Sequence, residues 1–533
     1  MTRTRLGIFL SLFLAANTWI ACGPEGEELT SRPPNVVILV ADDLGFADVG
    51  YRGSAIQTPG IDRLAAEGLR LERFYATPIC TPTRAALMTG RDPLLLGLAY
   101  DQIHPWYNAG LAPDQETLPR AFQSAGYQTA LVGKWHLGHT YAHQLPNAQG
   151  FAHFSGHLHT NTDYYKHERE RGHDLQENGQ PLHKPGIYLT HIQAEEAVRV
   201  IRERDVKRPL LLTVAFTAPH SPMQAPQASV DLYRDLPKAG NRRVYAAMVH
   251  EMDLAISEIL RTLDQEGIAD ETLVFFMSDN GGMRAFGGRN TPLRGGKGQT
   301  FEGGIRVPAL LRWPKVLPAD AETETLVTVM DIFPTLADAA GIPIPAEAPI
   351  EGVDLWPTLA KGTPPPARRP IFFASEIPLP GVIFTTAIDD PWKLVQIIRE
   401  GPTETQTTEM LFRLDQDPLE TRDLSRSQPE RVAQLREEIK DWRRQHPMAG
   451  TRGTLVPHPG WVAPLDWADH VLPASKLQPQ WKNELPFSEA LLDATAHRGV
   501  LVDAEERAEL IKQERARNES MALPDDPPRF NNP

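Results

Sequence analysis

Apolar positions along this chain fall into two textures. From residue 35 to about residue 340, unbroken apolar runs of strand length alternate with segments of helical period. Asn35-Val36-Val37-Ile38-Leu39-Val40-Ala41, Leu210 to Phe216 and Thr272 to Met277 are such runs, the pattern of strands covered on both faces. Helical periods lie between them: Thr58 to Leu71, Thr117 to Ala125, Gln193 to Arg202, Arg243 to Leu263 and Asp331 to Ala340. A shorter strand follows Gly126, through Thr129 to Val132. The alternation predicts an α/β layered sheet, whose sites lie outside the carboxyl ends of the strands.

Past a Pro-rich connection, residues 343–370, the texture changes. Short strands near Ile371 to Ala374, Phe384 to Ala387, Lys393 to Ile398 and Met410 to Leu414 precede a charged helix from Pro429 to Arg444. They predict a smaller C-terminal α+β domain over residues 371–445, an antiparallel sheet with one helix against it. Residues 446–533 are rich in Pro, Trp and charge, with one helix expected from Ala504 to Ala516 and no role that the sequence assigns.

With 533 residues the chain is long enough for one large core and a second, smaller one. A formal net charge of −14 excludes a broad basic face for nucleic acid, so an anionic substrate needs local positive charge. At the amino end, Arg3 and Arg5 precede an apolar run from Leu6 to Ile20 that is short for a bilayer span, the pattern of a secretory signal over residues 1–21. Trp19-Ile20-Ala21-Cys22-Gly23 resembles a lipoprotein cleavage site with a lipid anchor at Cys22. Trp19 departs from the Leu, Val or Ile usual there, and ordinary cleavage near Ala21 is the competing reading. The chain is therefore expected to be exported, as a periplasmic or membrane-anchored lipoprotein or, alternatively, secreted.

Chemistry concentrates at Pro78-Ile79-Cys80-Thr81-Pro82-Thr83-Arg84, which runs into Ala85 to Gly90. Thr81 as cap, Pro82 in the first turn and Gly90 as stop predict a helix with Cys80 at its amino end, where free N–H groups favour anions. Asp42-Asp43 and Asp279-Asn280 each close a predicted strand and together offer only carboxylate and amide oxygens, a set that suits Ca2+ first and Mg2+ second. In an extended segment Lys134 and His136 share a face, with Trp135 on the other. His220 lies in a stiff loop between Pro219 and Pro222, and Lys297 in a Gly-rich segment that is not a Walker A loop. Ten of the 17 histidines fall between His136 and His191, in loops expected over a cleft. Their spacing matches no closed metal site and reads as scattered surface histidines.

Cys80-Thr81-Pro82-Thr83-Arg84 resembles the Cys-x-Pro-x-Arg signature of type I sulfatases, with Thr83 where most members have Ser. Gly126-Tyr127-Gln128-Thr129-Ala130-Leu131-Val132-Gly133-Lys134-Trp135-His136 is similar to a second signature of that family. Asp163 to Arg169 and Asn290 to Gly295 look most like the arylsulfatase B, or N-acetylgalactosamine-4-sulfatase, branch. The resemblance implies an alkaline phosphatase-like fold, a large mixed, mostly parallel sheet sandwiched by helices, with residues 35–342 as the catalytic domain.

It also implies that a maturation enzyme oxidises Cys80 to formylglycine, whose hydrate is the nucleophile. Asp42, Asp43, Asp279, Asn280 and residue 80 match the metal ligands. Arg84, Lys134, His136, His220 and Lys297 match the polar and catalytic positions, with His220 as candidate acid and His136 as candidate base. The expected partner is a sulfated saccharide or aryl sulfate; oligomeric state is open. Three other readings stand beside it: a phosphate or phosphonate monoester hydrolase, a non-catalytic glycan-binding lipoprotein, and direct catalysis by a Cys80 thiolate of lowered pKa at the helix end.

Overall fold

A computed structural model describes residues 32–446, apart from 108, 239–240, 346, 377–381 and 401–403, together with residues 463–472. The signal segment with Cys22 and the helix expected at Ala504 to Ala516 lie outside the described residues. Among the described residues, no helix is long and apolar enough to cross a membrane.

The unbroken apolar runs form the middle of a ten-stranded sheet. Strands Thr272–Ser278, Asn35–Ala41, Leu210–Ala215, Gln128–Lys134 and His153–His157 lie side by side in that order, all parallel, with Leu39 opposite both Val214 and Phe276. Antiparallel strands extend both edges, Ala309–Arg312 on one side and Gln176–Glu177 on the other. Alternate side chains of the Asn35–Ala41 strand feed two cores: Val36, Ile38 and Val40 pack with the Cys80 helix and Ile332–Ala339, Val37 and Leu39 with helices Leu189–Glu203 and Arg242–Gln265. The sheet is thus sandwiched by helices, which is why its central strands carry no polar face.

Strands Ile371–Ser375, Val382–Asp389, Trp392–Glu400 and Thr405–Arg413 form a separate four-stranded antiparallel sheet. One face packs Phe373, Phe384 and Val395 against Tyr75, Phe301 and Ile305 of the main body, and the other packs Leu394 and Leu411 against helix Pro429–Arg443. The Pro-rich connection is not all extended, since Trp356–Lys361 is helical.

Two local expectations change. The helix expected from Thr58 to Leu71 is Pro59–Ala66, and Leu69–Leu71 is a strand of the large sheet. Gly68 makes the change of direction: a Cβ there would lie 2.3 Å from Leu311 O, so only glycine lets the backbone pass. The histidines between His136 and His191 are only in part at the surface: His183 and His191 are exposed, while His139, His157, His159 and His167 are buried. Hydrogen bonds occupy the buried four, His157 Nε2 lying 2.7 Å from Thr217 Oγ1 and His159 Nδ1 2.8 Å from Asp174.

Candidate active site

Cys80 begins a fully buried helix, Cys80–Thr89, and is itself buried at the carboxyl end of the parallel strands. Thr81 is not the cap. Its Oγ1 accepts Ile103 N at 3.1 Å, tying the helix start to the loop before His104, and the helix has no side-chain cap. Thr83 Oγ1 instead accepts Thr77 N at 2.9 Å, a bond that needs only a hydroxyl and so accommodates Thr where the signature usually has Ser.

Asp42 and Asp43 follow one central strand, and Asp279 and Asn280 the next. Asp43 has φ 70°, a left-handed turn that bends the two carboxylates away from strand alternation. Each acid meets a base. Lys134 Nζ donates to Asp42 Oδ2 at 2.6 Å, Arg84 Nη2 to Asp279 Oδ2 at 2.9 Å, and Lys297 Nζ to Asp43 Oδ1 at 2.6 Å. Lys297 Nζ also lies 3.4 Å from Cys80 Sγ, and Asn280 Nδ2 donates to Asp43 Oδ1 at 2.7 Å. Ligand atoms of Asp42, Asp43, Cys80 and His220 all lie within 4.8 Å of one another. Residues separated by more than 200 positions therefore converge on one thiol.

Burial opposes ionisation of Asp42 and Asp43, yet the neighbouring cations outweigh it and hold both carboxyls below the usual range, Lys134 leading for Asp42 and Lys297 for Asp43. Burial, reinforced by Asp42, pushes Asp279 up. Lys297 loses hydration on burial, but Asp43 more than compensates and keeps it charged. Burial pushes the Cys80 thiol up to about 12 despite Lys134 and Lys297. That weighs against the thiolate reading, since burial opposes the helix end in this site.

The two histidines differ. The Gln128–Lys134 strand ends before His136, which has φ 62°, so the expected same-face alternation with Lys134 does not hold. His136 Nε2 donates to Ile103 O at 3.2 Å, leaving Nδ1 as a buried lone pair with no hydrogen-bond partner. Burial, then Lys134 and Arg84, hold its pKa well below the usual histidine value. His220 Nδ1 donates to Ser221 O at 2.8 Å, and its Nε2 lies 3.7 Å from Asp43 Oδ2. Burial and Lys297 lower its pKa against the pull of Asp43. Tyr164 OH bonds His220 O at 2.9 Å and Asn161 Nδ2 bonds Ser221 O at 3.0 Å, bracing that loop.

The donor chemistry fits a hard cation. Asp42 Oδ1 and Asn280 Oδ1 are buried without a hydrogen-bond partner, and with Asp43 and Asp279 they form a set of oxygen donors beside Cys80 Sγ and His220. Three carboxylates face three bases, so the cluster is close to neutral by itself. A divalent ion would make it attractive to an anion.

Sequence reasoning missed Asn290 as a fastener. Its Oδ1 accepts Gly282 N at 2.8 Å and its Nδ2 donates to Gly282 O at 2.9 Å and Gly295 O at 3.3 Å, pinning both ends of the segment that delivers Lys297. It also missed Lys393, whose Nζ lies 2.8 Å from both Glu302 Oε1 and Glu420 Oε1 and so anchors the far end of that segment to the smaller sheet.

Comparison with known proteins gives the family. A family model described as Sulfatase matches residues 34–342, more than half of the chain. The chain belongs to the sulfatase family. A second model, described as N-sulphoglucosamine sulphohydrolase, C-terminal, matches residues 296–445 of this sulfatase. Arylsulfatase J of Mus musculus is 38% identical over 346 residues, 64% of this chain and 58% of that protein. The chain thus spans under two thirds of the length of that relative. N-acetylgalactosamine-6-sulfatase of Homo sapiens is 36% identical over 366 residues, 64% of this chain and 68% of that protein. The crystal structure of Ps i-CgsB in complex with k-i-k-neocarrahexaose superposes with TM-score 0.71 at 30% identity, covering 81% of this chain and 95% of that one.

Proposed function

We propose that this sulfatase hydrolyses a sulfate monoester, on a sulfated sugar, and releases inorganic sulfate. The observation that carries the reading is the position of Cys80 Sγ, 3.4 Å from Lys297 Nζ, within 4.8 Å of ligand atoms of Asp42, Asp43 and His220. Asp42, Asp43, Asp279 and Asn280 would hold a divalent cation, Ca2+ before Mg2+ on their all-oxygen chemistry. When present, the cation supplies Lewis acidity, and a formylglycine made from Cys80 by a maturation enzyme supplies a hydrated carbonyl as nucleophile.

The remaining roles fall to the side chains around residue 80. Arg84, Lys134 and Lys297 surround the sulfate position with fixed positive charge, which stabilises charge spread over the ester oxygens. Lys297 also orients the group at residue 80. His220 Nε2 holds the proton for the departing alkoxide; since burial and Lys297 depress its pKa, it gains that proton only with the substrate's negative charge beside it. His136 Nδ1, neutral and unpaired, is the base for the release step.

The relative named N-acetylgalactosamine-6-sulfatase and the solved relative that holds an oligosaccharide support a saccharide substrate. The branch resemblance of Asp163 to Arg169 points to the 4-sulfate position, so matured enzyme is assayed on 4-sulfated and 6-sulfated N-acetylgalactosamine together. Export, with a lipid on Cys22, belongs to the same proposal and is read from the mass of the mature amino terminus.

The deciding experiment compares turnover of nitrophenyl sulfate and nitrophenyl phosphate by matured enzyme, with mass spectrometry of the Cys80 peptide. A sulfate preference with an aldehyde at residue 80 is expected. A phosphate preference overturns the reaction, and an intact thiol with no turnover of either ester replaces it with the glycan-binding reading.

A further inference from the structure

A second group of metal-type ligands forms where residues 463–472 meet the histidine-rich layer, sharing no residue with the Cys80 site. Backbone pairing sets its register. His173 N donates to Leu465 O and Trp467 N to His173 O, both at 2.9 Å, which places His173 beside Asp466. Leu182 N donates to Leu175 O at 2.8 Å and carries His183 back over His173, so that the two ring centroids lie 4.2 Å apart. One ligand atom from each of His173, His183 and Asp466 lies within 4.8 Å of the others.

Two features make this more than a meeting of polar residues. His173 Nε2 donates to Leu182 O at 3.1 Å, so a backbone carbonyl fixes the tautomer and leaves Nδ1 as a lone pair, the arrangement metal-bound histidines use. Asp466 Oδ1 accepts Ala468 N at 2.9 Å, while Oδ2 is buried with no hydrogen-bond partner. An unpaired carboxylate oxygen beside the His173 lone pair and the His183 ring is unfavourable unless a positive charge stands among them. The neighbouring trio His153, Glu177 and Glu196 offers no such opening, because Arg199 already pairs with both acids.

We propose that His173, His183 and Asp466 bind a borderline divalent transition ion, Zn2+ first, which clips residues 463–472 to the body of the protein. Two imidazoles and one carboxylate suit that ion rather than the hard cation of the Cys80 site. The clip fixes Trp467, whose ring lies 4.0 Å from His159 and whose Nε1 donates to Arg169 O at 3.1 Å. Leu158, next to His159, accepts His136 N at 3.1 Å, so the clipped segment covers the layer that carries His136.

The test uses full-length protein saturated with Ca2+, titrated with Zn2+ by calorimetry and separately loaded with Co2+ for visible absorption. One Zn2+ equivalent is expected, with affinity weakened by about tenfold or more in both His183→Ala and Asp466→Asn and the Co2+ bands lost with it. No uptake by the wild type, uptake unchanged in both variants, or uptake abolished by Asp42→Asn each overturns the proposal. The readout is metal binding, so it stands or falls independently of the sulfatase activity.

Discussion

Two buried charge clusters flank the segment from Lys297 to Glu302, and they are built in opposite ways. Around Lys393, Glu302 Oε2 accepts Tyr75 OH at 3.0 Å, Glu420 Oε2 accepts Glu302 N at 2.8 Å, and the remaining oxygens Glu302 Oε1 and Glu420 Oε1 both lie 2.8 Å from Lys393 Nζ. Each carboxylate oxygen thus lies beside a donor or a cation, Glu420 Oε1 as an ion pair with Lys393 rather than as a hydrogen-bond acceptor. Around Cys80 the same kinds of residue are as deeply buried, yet Asp42 Oδ1 and Asn280 Oδ1 accept no hydrogen bond and no ion pair is recorded on either atom. In a dry interior an unpaired oxygen is costly, so a fold that retains two of them beside a thiol is arranged for a further positive charge. Burial and charge are common to both clusters; completeness of pairing separates a structural fastening from a reactive site.

The sharpest way to break that contrast is Cys80→Ala. It removes one small buried side-chain group and no charge, so the protein should stay folded by circular dichroism while turnover of nitrophenyl sulfate falls by about 10^4-fold or more. Activity within about tenfold of wild type would take residue 80 out of the chemistry. Next in size is Asp42. Replacement by Ala would strand Lys134 in a dry site at a cost of about 3–5 kcal/mol, which confuses folding with function. Asp42→Asn also removes the counter-charge but keeps the shape and an acceptor for Lys134 Nζ, so its folding cost is smaller; it is expected to lower turnover by about 100-fold and weaken Ca2+ binding in calorimetry. Unchanged Ca2+ affinity would show that the unpaired oxygens do not serve a cation.

How much of this was readable beforehand follows from how far each interaction reaches. The central strands were legible because a strand covered on both faces must be apolar throughout, and Asn35 to Ala41 is. The Cys80 helix was legible in position though not in its cap, since Thr81 turns to the loop at Ile103, a contact local propensity cannot foresee. The acid pairs could be located because each closes a strand; which base each meets could not. Lys134 pairs with Asp42 across 92 residues and Lys393 with Glu302 across 91, and no periodicity encodes such distances. His136 was misdirected for a different reason: alternation presumes an extended backbone, and its positive φ ends that two residues after Lys134.

The Lys393 cluster supplies the converse experiment. Lys393→Met leaves two buried carboxylates without their cation and is expected to cost about 3–5 kcal/mol in urea unfolding. Turnover per folded molecule should stay within about tenfold, because Lys393 touches Glu302 and Glu420 rather than Cys80 or its acids. The triple variant Lys393→Met, Glu302→Gln, Glu420→Gln should recover part of that loss, since no uncompensated charge remains. A Lys393→Met protein as stable as wild type would mean that complete pairing had stabilised nothing.

The smallest expected effect comes from a third cluster, equally rich in charge but wet. Arg199 donates to Glu196, Glu177 and Glu203 at 2.6, 3.0 and 3.1 Å, the first as close as the Lys134–Asp42 pair, yet its side chain is 42% exposed. Water already solvates these groups and salt screens them, so distance alone does not make the interaction strong. Arg199→Ala is expected to change unfolding free energy by less than about 1 kcal/mol and to leave turnover untouched. Raising the salt to about 1 M should erase even that difference, because the screening length then falls to about 3 Å, while the Lys393→Met deficit should persist. If the exposed cluster instead cost as much to break as the buried one, pairing geometry rather than dryness would govern both, and the contrast between the Cys80 and Lys393 clusters would need another cause.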